Sequence, residues 1–151
     1  MKLEAEIKQE RFESEHQKAA INVLLTANWL YNQNSLFLKQ FLLTPEQFNV
    51  LRILRGSHPA TLKLLDIRDR MIDKNSNCTR LVEKLRQKGF VKREVCAANR
   101  RQVDISITPK GLSLLAKIDG RTADNPWRQL TSRLTKSESS ELNSILDKIR
   151  S

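Results

Sequence analysis

Residues 78–111, CTRLVEKLRQKGFVKREVCAANRRQVDISITPKG, change hydrophobic period twice, and this constrains the fold more than any other feature of the chain. Cys78, Leu81, Val82 and Leu85 stand at i, i+3, i+4 and i+7, one buried stripe of a helix. Gly89 follows in the position where helices end. Val103, Ile105 and Ile107 then alternate with polar residues, the period of a half-buried strand. FVKREV before them reads as a partner strand and CAANRR as the turn between. The segment therefore predicts a helix followed by a two-stranded ribbon with an arginine tip. Thr108, Pro109 and Gly111 open the next helix.

The flanks read as helices. Leu3 to Leu36 carries no Gly or Pro, and Ala20, Val23, Leu24, Ala27, Leu30 and Tyr31 recur at helical spacing, which predicts one long first helix. Ala19 to Leu38 is free of charge, yet Asn22, Asn28, Asn32, Gln33 and Asn34 are too many amides for lipid, so this helix is expected to pack on protein. Thr44, Pro45 and Gln47 form a helix-start signal, with Phe48, Leu51 and Leu54 as its apolar stripe and Gly56 as its end. TLKLLDIRDRM reads as a short third helix opened by Thr61. Leu112, Leu115 and Ile118 mark a helix after Pro109. Thr135 and Glu138 make a capping box ahead of Leu142, Ile145, Leu146 and Ile149.

At 151 residues the chain suits a single domain, 1–151. Its 27 Lys plus Arg against 17 Asp plus Glu leave a net charge of +10, which favours an anionic partner. Residues 61–111 hold 13 basic and 6 acidic side chains, so most of the excess lies in the middle third. Cys78 and Cys96 form no C-x-x-C pair, and His16 and His58 are isolated, which points away from a metal, cofactor or redox site and toward incidental thiols in a reducing cytoplasm. The charged N-terminus is not a secretory signal. No nucleophile–base–acid set or glycine-rich phosphate loop is present, and Asp66, Asp69 and Asp73 interleave with Arg68, Arg70 and Lys74 as a solvated helix surface. An enzyme is not expected.

A short helix, a turn, a second helix with a polar outer face and a basic-tipped hairpin make the layout of a winged helix-turn-helix. A major groove admits one helix whose exposed side chains read base edges. Asn75, Ser76, Asn77, Thr79, Arg80 and Lys84 are the candidates there, and Arg100 and Arg101 at the ribbon tip suit the narrow minor groove beside it. Each element alone has a plainer explanation as solvated helix face or surface turn. Their order, together with the local charge, favours DNA.

LTPEQFNVLRIL, TRLVEKLRQKGFVKRE and NRRQVDISITPKG resemble the MarR family of bacterial transcription regulators, and the last corresponds to the family's wing signature. The closing LTKSESSELNSILDKI is similar to the family's last helix. The resemblance implies a mainly α fold, with a winged helix-turn-helix core at about 44–111 carrying a small antiparallel β-ribbon. Dimerisation helices at about 3–36 and 109–151 would flank that core. It implies a homodimer on a palindromic double-stranded operator, with Arg101 in the minor groove and Arg100 on phosphate. It also leaves room for a small aromatic or anionic effector between the two regions, where Trp29, Tyr31 and His58 are candidates, although no ligand-binding residue is assigned. Independently, the Leu142–Ile149 stripe and the amide-bearing first helix call for a partner surface. Asn99 stands where the signature has an aspartate expected to brace the wing arginine, so a wing that is less rigid or differently braced is expected. Ile107 replaces the usual leucine. No cysteine precedes Cys78, so the first-helix cysteine chemistry of the peroxide-sensing branch is not supported. The alternative is a winged-helix architectural or protein-interaction module that does not read sequence.

Overall fold

A computed structural model describes residues Met1–Ser151. It contains, in chain order, α1 (Leu3–Ile7), α2 (Glu15–Lys39), α3 (Pro45–Ser57), α4 (Leu64–Arg70), α5 (Cys78–Gln87), β1 (Val91–Cys96), β2 (Asn99–Ile107), α6 (Pro109–Gly120), α7 (Pro126–Gln129) and α8 (Lys136–Arg150). The fold is the expected one, mainly helical with one antiparallel ribbon.

The long first helix expected over 3–36 is divided. Lys8 takes a left-handed conformation (φ 55°) that ends α1, and Ser14 restarts the chain by accepting the Gln17 N–H on its hydroxyl at 3.1 Å. A serine cap therefore breaks this stretch without glycine or proline. The start of α3 is as expected: Thr44 Oγ1 accepts the Gln47 N–H at 3.1 Å and Gln47 Oε1 accepts the Thr44 N–H at 3.2 Å. Its end is not, since α3 runs through Gly56 to Ser57 and stops because Pro59 forces His58 into an extended conformation (ψ 135°).

Thr61 does not open α4. Leu62 pairs with Ile105 of β2 through two 2.9 Å backbone hydrogen bonds, which hold the chain extended. The helix starts only after Lys63, whose N–H is accepted by Asp66 Oδ2 at 3.0 Å. α5 ends as read: Gly89 (φ 80°) donates to Arg86 O at 2.9 Å and Phe90 to Leu85 O at 3.0 Å, a Schellman closure. The C-terminal third holds a short helix that the apolar pattern did not reveal, α7, capped by the buried Asn125, whose Oδ1 accepts the Trp127 N–H at 3.0 Å.

Leu51 and Leu54 of α3, Ile67 of α4, Leu85 of α5, Ile105 of β2, and Leu115 and Ile118 of α6 form one sealed core. That core fixes α5 and the ribbon relative to each other. α8 lies outside it, and α2 enters it only through Phe37 and Leu38 near its end. α8 buries no residue, and Leu142, Ile145 and Ile149 are exposed together with Leu24 and Leu36 of α2. Within one chain, then, α2 is not the buried helix its composition suggested; only Asn34, Phe37 and Leu38 are covered. No helix is long and apolar enough to cross a membrane.

Candidate nucleic-acid interface

The stripe of α5 packs inward as its spacing requires, with Cys78, Val82 and Leu85 buried and Leu81 half-buried. Burial pushes the Cys78 thiol above its ordinary pKa, so this group is a small core side chain held protonated. The opposite side presents Thr79, Arg80 and Lys84 to solvent. These three keep the placement their spacing implies.

The residues ahead of the helix are placed differently. Asn77 is the N-cap, its Oδ1 accepting the Arg80 N–H at 3.1 Å, so only its amide nitrogen is available outward. Ser76 was expected on the outer face. It sits instead in the preceding turn, partly covered, with its hydroxyl oxygen buried and without a partner. Asn75 is exposed in that turn, which is held by its own N–H on Asp73 Oδ1 at 2.9 Å.

The ribbon tip is also rearranged. β1 continues through Cys96, and only Ala97 and Ala98 form the turn, so Arg100 and Arg101 lie on β2. The ladder runs unbroken from Val91↔Ile107 to Val95↔Val103 and then jumps to Cys96↔Asn99. Arg100, Arg101 and Gln102 are therefore left out of the ladder, a bulge that interrupts the regular pleat. Asn99 Oδ1 accepts the Arg101 N–H at 3.0 Å. This is the different bracing: the carboxamide oxygen holds the arginine's backbone, and the guanidinium stays unpaired.

The electrostatics follow from which charges are cancelled. Residues 75–111 contain three acids, Glu83, Glu94 and Asp104. Glu83 takes a bidentate contact from Arg86 at 2.9 and 2.8 Å, which holds its carboxyl below the usual range. Glu94 pairs with Lys92 at 2.6 Å, and Asp104 pairs with Lys63, whose ammonium is thereby held above its usual pKa. Arg80, Lys84, Arg93, Arg100 and Arg101 make no ion pair. Every uncompensated charge among residues 75–111 is positive.

Between α5 and the ribbon lies an open groove of about 530 Å³, lined among others by Lys63, Thr79, Arg93, Arg101 and Gln102. It brings Thr79 of α5 together with Arg101 of β2. Lys63, Arg93 and Gln102 were not singled out from sequence. Arg93 had a readable signal, since the strand period puts it on the ribbon face of Val91 and Val95.

A second cavity, of about 750 Å³, opens between α2, α3 and the segment leading into α5. Tyr31 lines it as suggested, with its hydroxyl donating to Glu46 Oε1 at 2.7 Å. Trp29 and His58 do not. Trp29 faces the Arg133 guanidinium, 5.4 Å from its ring centroid, and the aromatic wall is supplied by Trp127.

The MarR family model matches residues 43–103, which span α3, α4, α5, β1 and the tip of the wing. A MarR transcription factor from Planctomyces limnophilus is 32% identical, with a TM-score of 0.69 and coverage of 91% of this chain and 98% of that one. A mutant MarR from E. coli, in complex with operator DNA, has the same fold at 20% identity, with a TM-score of 0.77 and coverage of 93% and 99%. The HTH-type transcriptional regulator PecS of Dickeya dadantii (strain 3937) is 24% identical over 111 residues, 73% of this chain and 66% of PecS. The match thus spans just under two thirds of that relative's length.

Proposed function

This chain belongs to the MarR family of transcription factors, and from that premise we propose that it is a cytoplasmic, homodimeric regulator that reads a palindromic double-stranded DNA operator. The family's members are regulators of transcription and the chain is not an enzyme. The observation that carries the reading is the selective cancellation of charge: all three acids of residues 75–111 are paired, while five cations around α5 and the wing are free. Free cations on one face release counterions from the phosphate backbone, the sequence-independent part of DNA affinity.

Sequence reading falls to α5. Thr79 and Arg80 are on its exposed first turn, where a groove-bound helix meets base edges, and a guanidinium can bind guanine through two hydrogen bonds. Lys84, one turn on, suits phosphate. The bulged Arg101 enters the flanking minor groove, with Arg100 on the backbone. Asn75 and Asn77 retain exposed amide groups for nearby phosphates, and Ser76 has no contact role. The operator complex of the E. coli relative supports this use of the fold.

The dimer is supported by the unpartnered apolar faces of α2 and α8, which a two-fold copy would cover. An effector bound in the 750 Å³ cavity between α2 and the lead-in to α5 would act on the position of the recognition helix. Selection of binding duplexes from a random pool tests the reading. A palindrome with half-sites about one helical turn apart is expected. Enrichment of no sequence would leave the architectural alternative.

A further inference from the structure

The 750 Å³ cavity has an unusual balance of charge for its place in so basic a chain. Leu24, Phe48, Met71 and Trp127 give it flat apolar walls. Two carboxylates, Glu46 and Asp73, face it against one guanidinium, Arg52. Arg52 and Asp73 are both exposed, and Arg52 lies over the Phe48 ring, 5.8 Å from its centroid, so these two charges are at the solvated rim while Glu46 is the partly covered one. Tyr31 reports the resulting field: Glu46 as hydrogen-bond acceptor, burial, and the negative charge of Asp73 hold its phenol protonated above the ordinary range. Asn34 also lines the cavity, is 7% exposed, and has a side-chain oxygen with no donor.

The charged acceptors here are the second oxygen of Glu46 and the Asp73 carboxylate, beside the amides of Asn28, Asn34 and Asn49. The wall they occupy is also mechanically connected. Asn49 Oδ1 holds the Ile72 N–H at 2.9 Å, and Asp73 Oδ1 holds the Asn75 N–H at 2.9 Å, just ahead of α5.

We propose that this cavity takes flat organic cations that carry N–H donors, and that it discriminates against aromatic anions, the class the family resemblance suggested. An aromatic body would lie against Phe48 and Trp127 while its amidinium or ammonium donates to Glu46 and Asp73. This deepens the reading of the chain as an effector-controlled regulator by naming the effector's class. The cavity's preference itself is independent of DNA.

The test compares two probes of the same shape and opposite charge, 2-naphthamidinium and 2-naphthoate, on the full-length protein without DNA. Binding is followed by calorimetry and by Trp127 emission in a Trp29→Phe background. The chain's net charge of +10 attracts the anion in general, so a preference for the cation has to come from the cavity. The amidinium is expected to perturb Trp127 and to bind at least about tenfold tighter than the carboxylate. The double variant Glu46→Gln/Asp73→Asn keeps an acceptor for Tyr31 and for the Asn75 N–H. It should keep its melting temperature and lose about tenfold or more in amidinium affinity. Equal or tighter binding of naphthoate with the same Trp127 response overturns the proposal. So does amidinium binding that the double variant leaves unchanged, or failure of both probes at millimolar concentration. Should the unliganded protein fail to bind any duplex, the regulator reading falls while the cavity's preference stands.

Discussion

One substitution made at three helical glycines should have opposite signs. In a helix Gly→Ala normally stabilises, by about 0.5–1 kcal/mol, because it narrows the unfolded ensemble. Gly56 in α3 and Gly120 in α6 have nothing within 4 Å of an added Cβ, so alanine should stabilise there. Gly111 differs although it too is helical, near the start of α6. A Cβ there would press on the Phe90 carbonyl oxygen and come 2.7 Å from Ile107 Cγ1. Neither neighbour can yield easily. The Phe90 carbonyl accepts the Thr108 N–H at 3.0 Å, and Ile107 is buried at the end of the ladder. Overpacking of this kind costs about 1–3 kcal/mol, which exceeds the helix gain. For a chain this long each kcal/mol moves the melting temperature by about 2–4 °C. Thermal melts at one fixed protein concentration should therefore rank Gly56→Ala and Gly120→Ala at or above wild type and Gly111→Ala several degrees below it. A Gly111→Ala protein as stable as the other two would refute the packing of α6 against the ribbon, and with it the rigidity of the wing's base.

Cys78→Ser places a hydroxyl in the apolar stripe of α5 and should cost about 1–3 kcal/mol in a denaturant titration. Oxidant should leave DNA binding intact, and loss of binding prevented by Cys78→Ser or Cys96→Ser would contradict the reading of Cys78 as a core side chain and of Cys96 as an incidental thiol. Asn99→Ala removes the acceptor for the Arg101 N–H and should weaken DNA binding by about 0.5–1.5 kcal/mol, whereas Asn99→Asp keeps the acceptor and most of the affinity. Deleting residues after Leu134 removes α8, which buries nothing within one chain. Sedimentation should then show loss of the dimer and aggregation through the uncovered face of α2, while helical circular dichroism from the remaining chain persists.

Elements with strong local chemistry were legible in the sequence. The Thr44 and Thr135 capping boxes, the Gly89 stop and the buried stripe of α5 are all decided within a few residues, and all are found. Local signals that went unread account for other differences: Ser14 with Gln17, and Asn125 ahead of Pro126, have the residue types of helix starts. What could not be read is tertiary. The pairing of Leu62 with Ile105, distant in sequence, keeps Thr61 from opening α4. The bulge at residues 100–102 is invisible to a period of two, which presumes flush pairing. At the candidate interface, spacing gave the exposed side of α5 but not the turn before it, where Ser76 is covered and Asn77 is used as a cap. The acid cavity beside Tyr31 depends on Glu46, Asp73 and Trp127, brought together from three separate segments.

Sequence reading by α5 and affinity supplied by the wing separate in one experiment, binding of the selected duplex and of a random duplex across a salt series for wild type, Arg80→Ala and Arg101→Ala. Wild type should prefer the selected duplex by about 10³-fold or more. Arg80→Ala should lose about 1–3 kcal/mol on the selected duplex only, relaxing the preference at one position per half-site. Arg101→Ala should weaken both duplexes and flatten the dependence on salt. Equal affinity of wild type for the two duplexes, or an Arg80→Ala loss that is the same on both, would contradict sequence reading by α5.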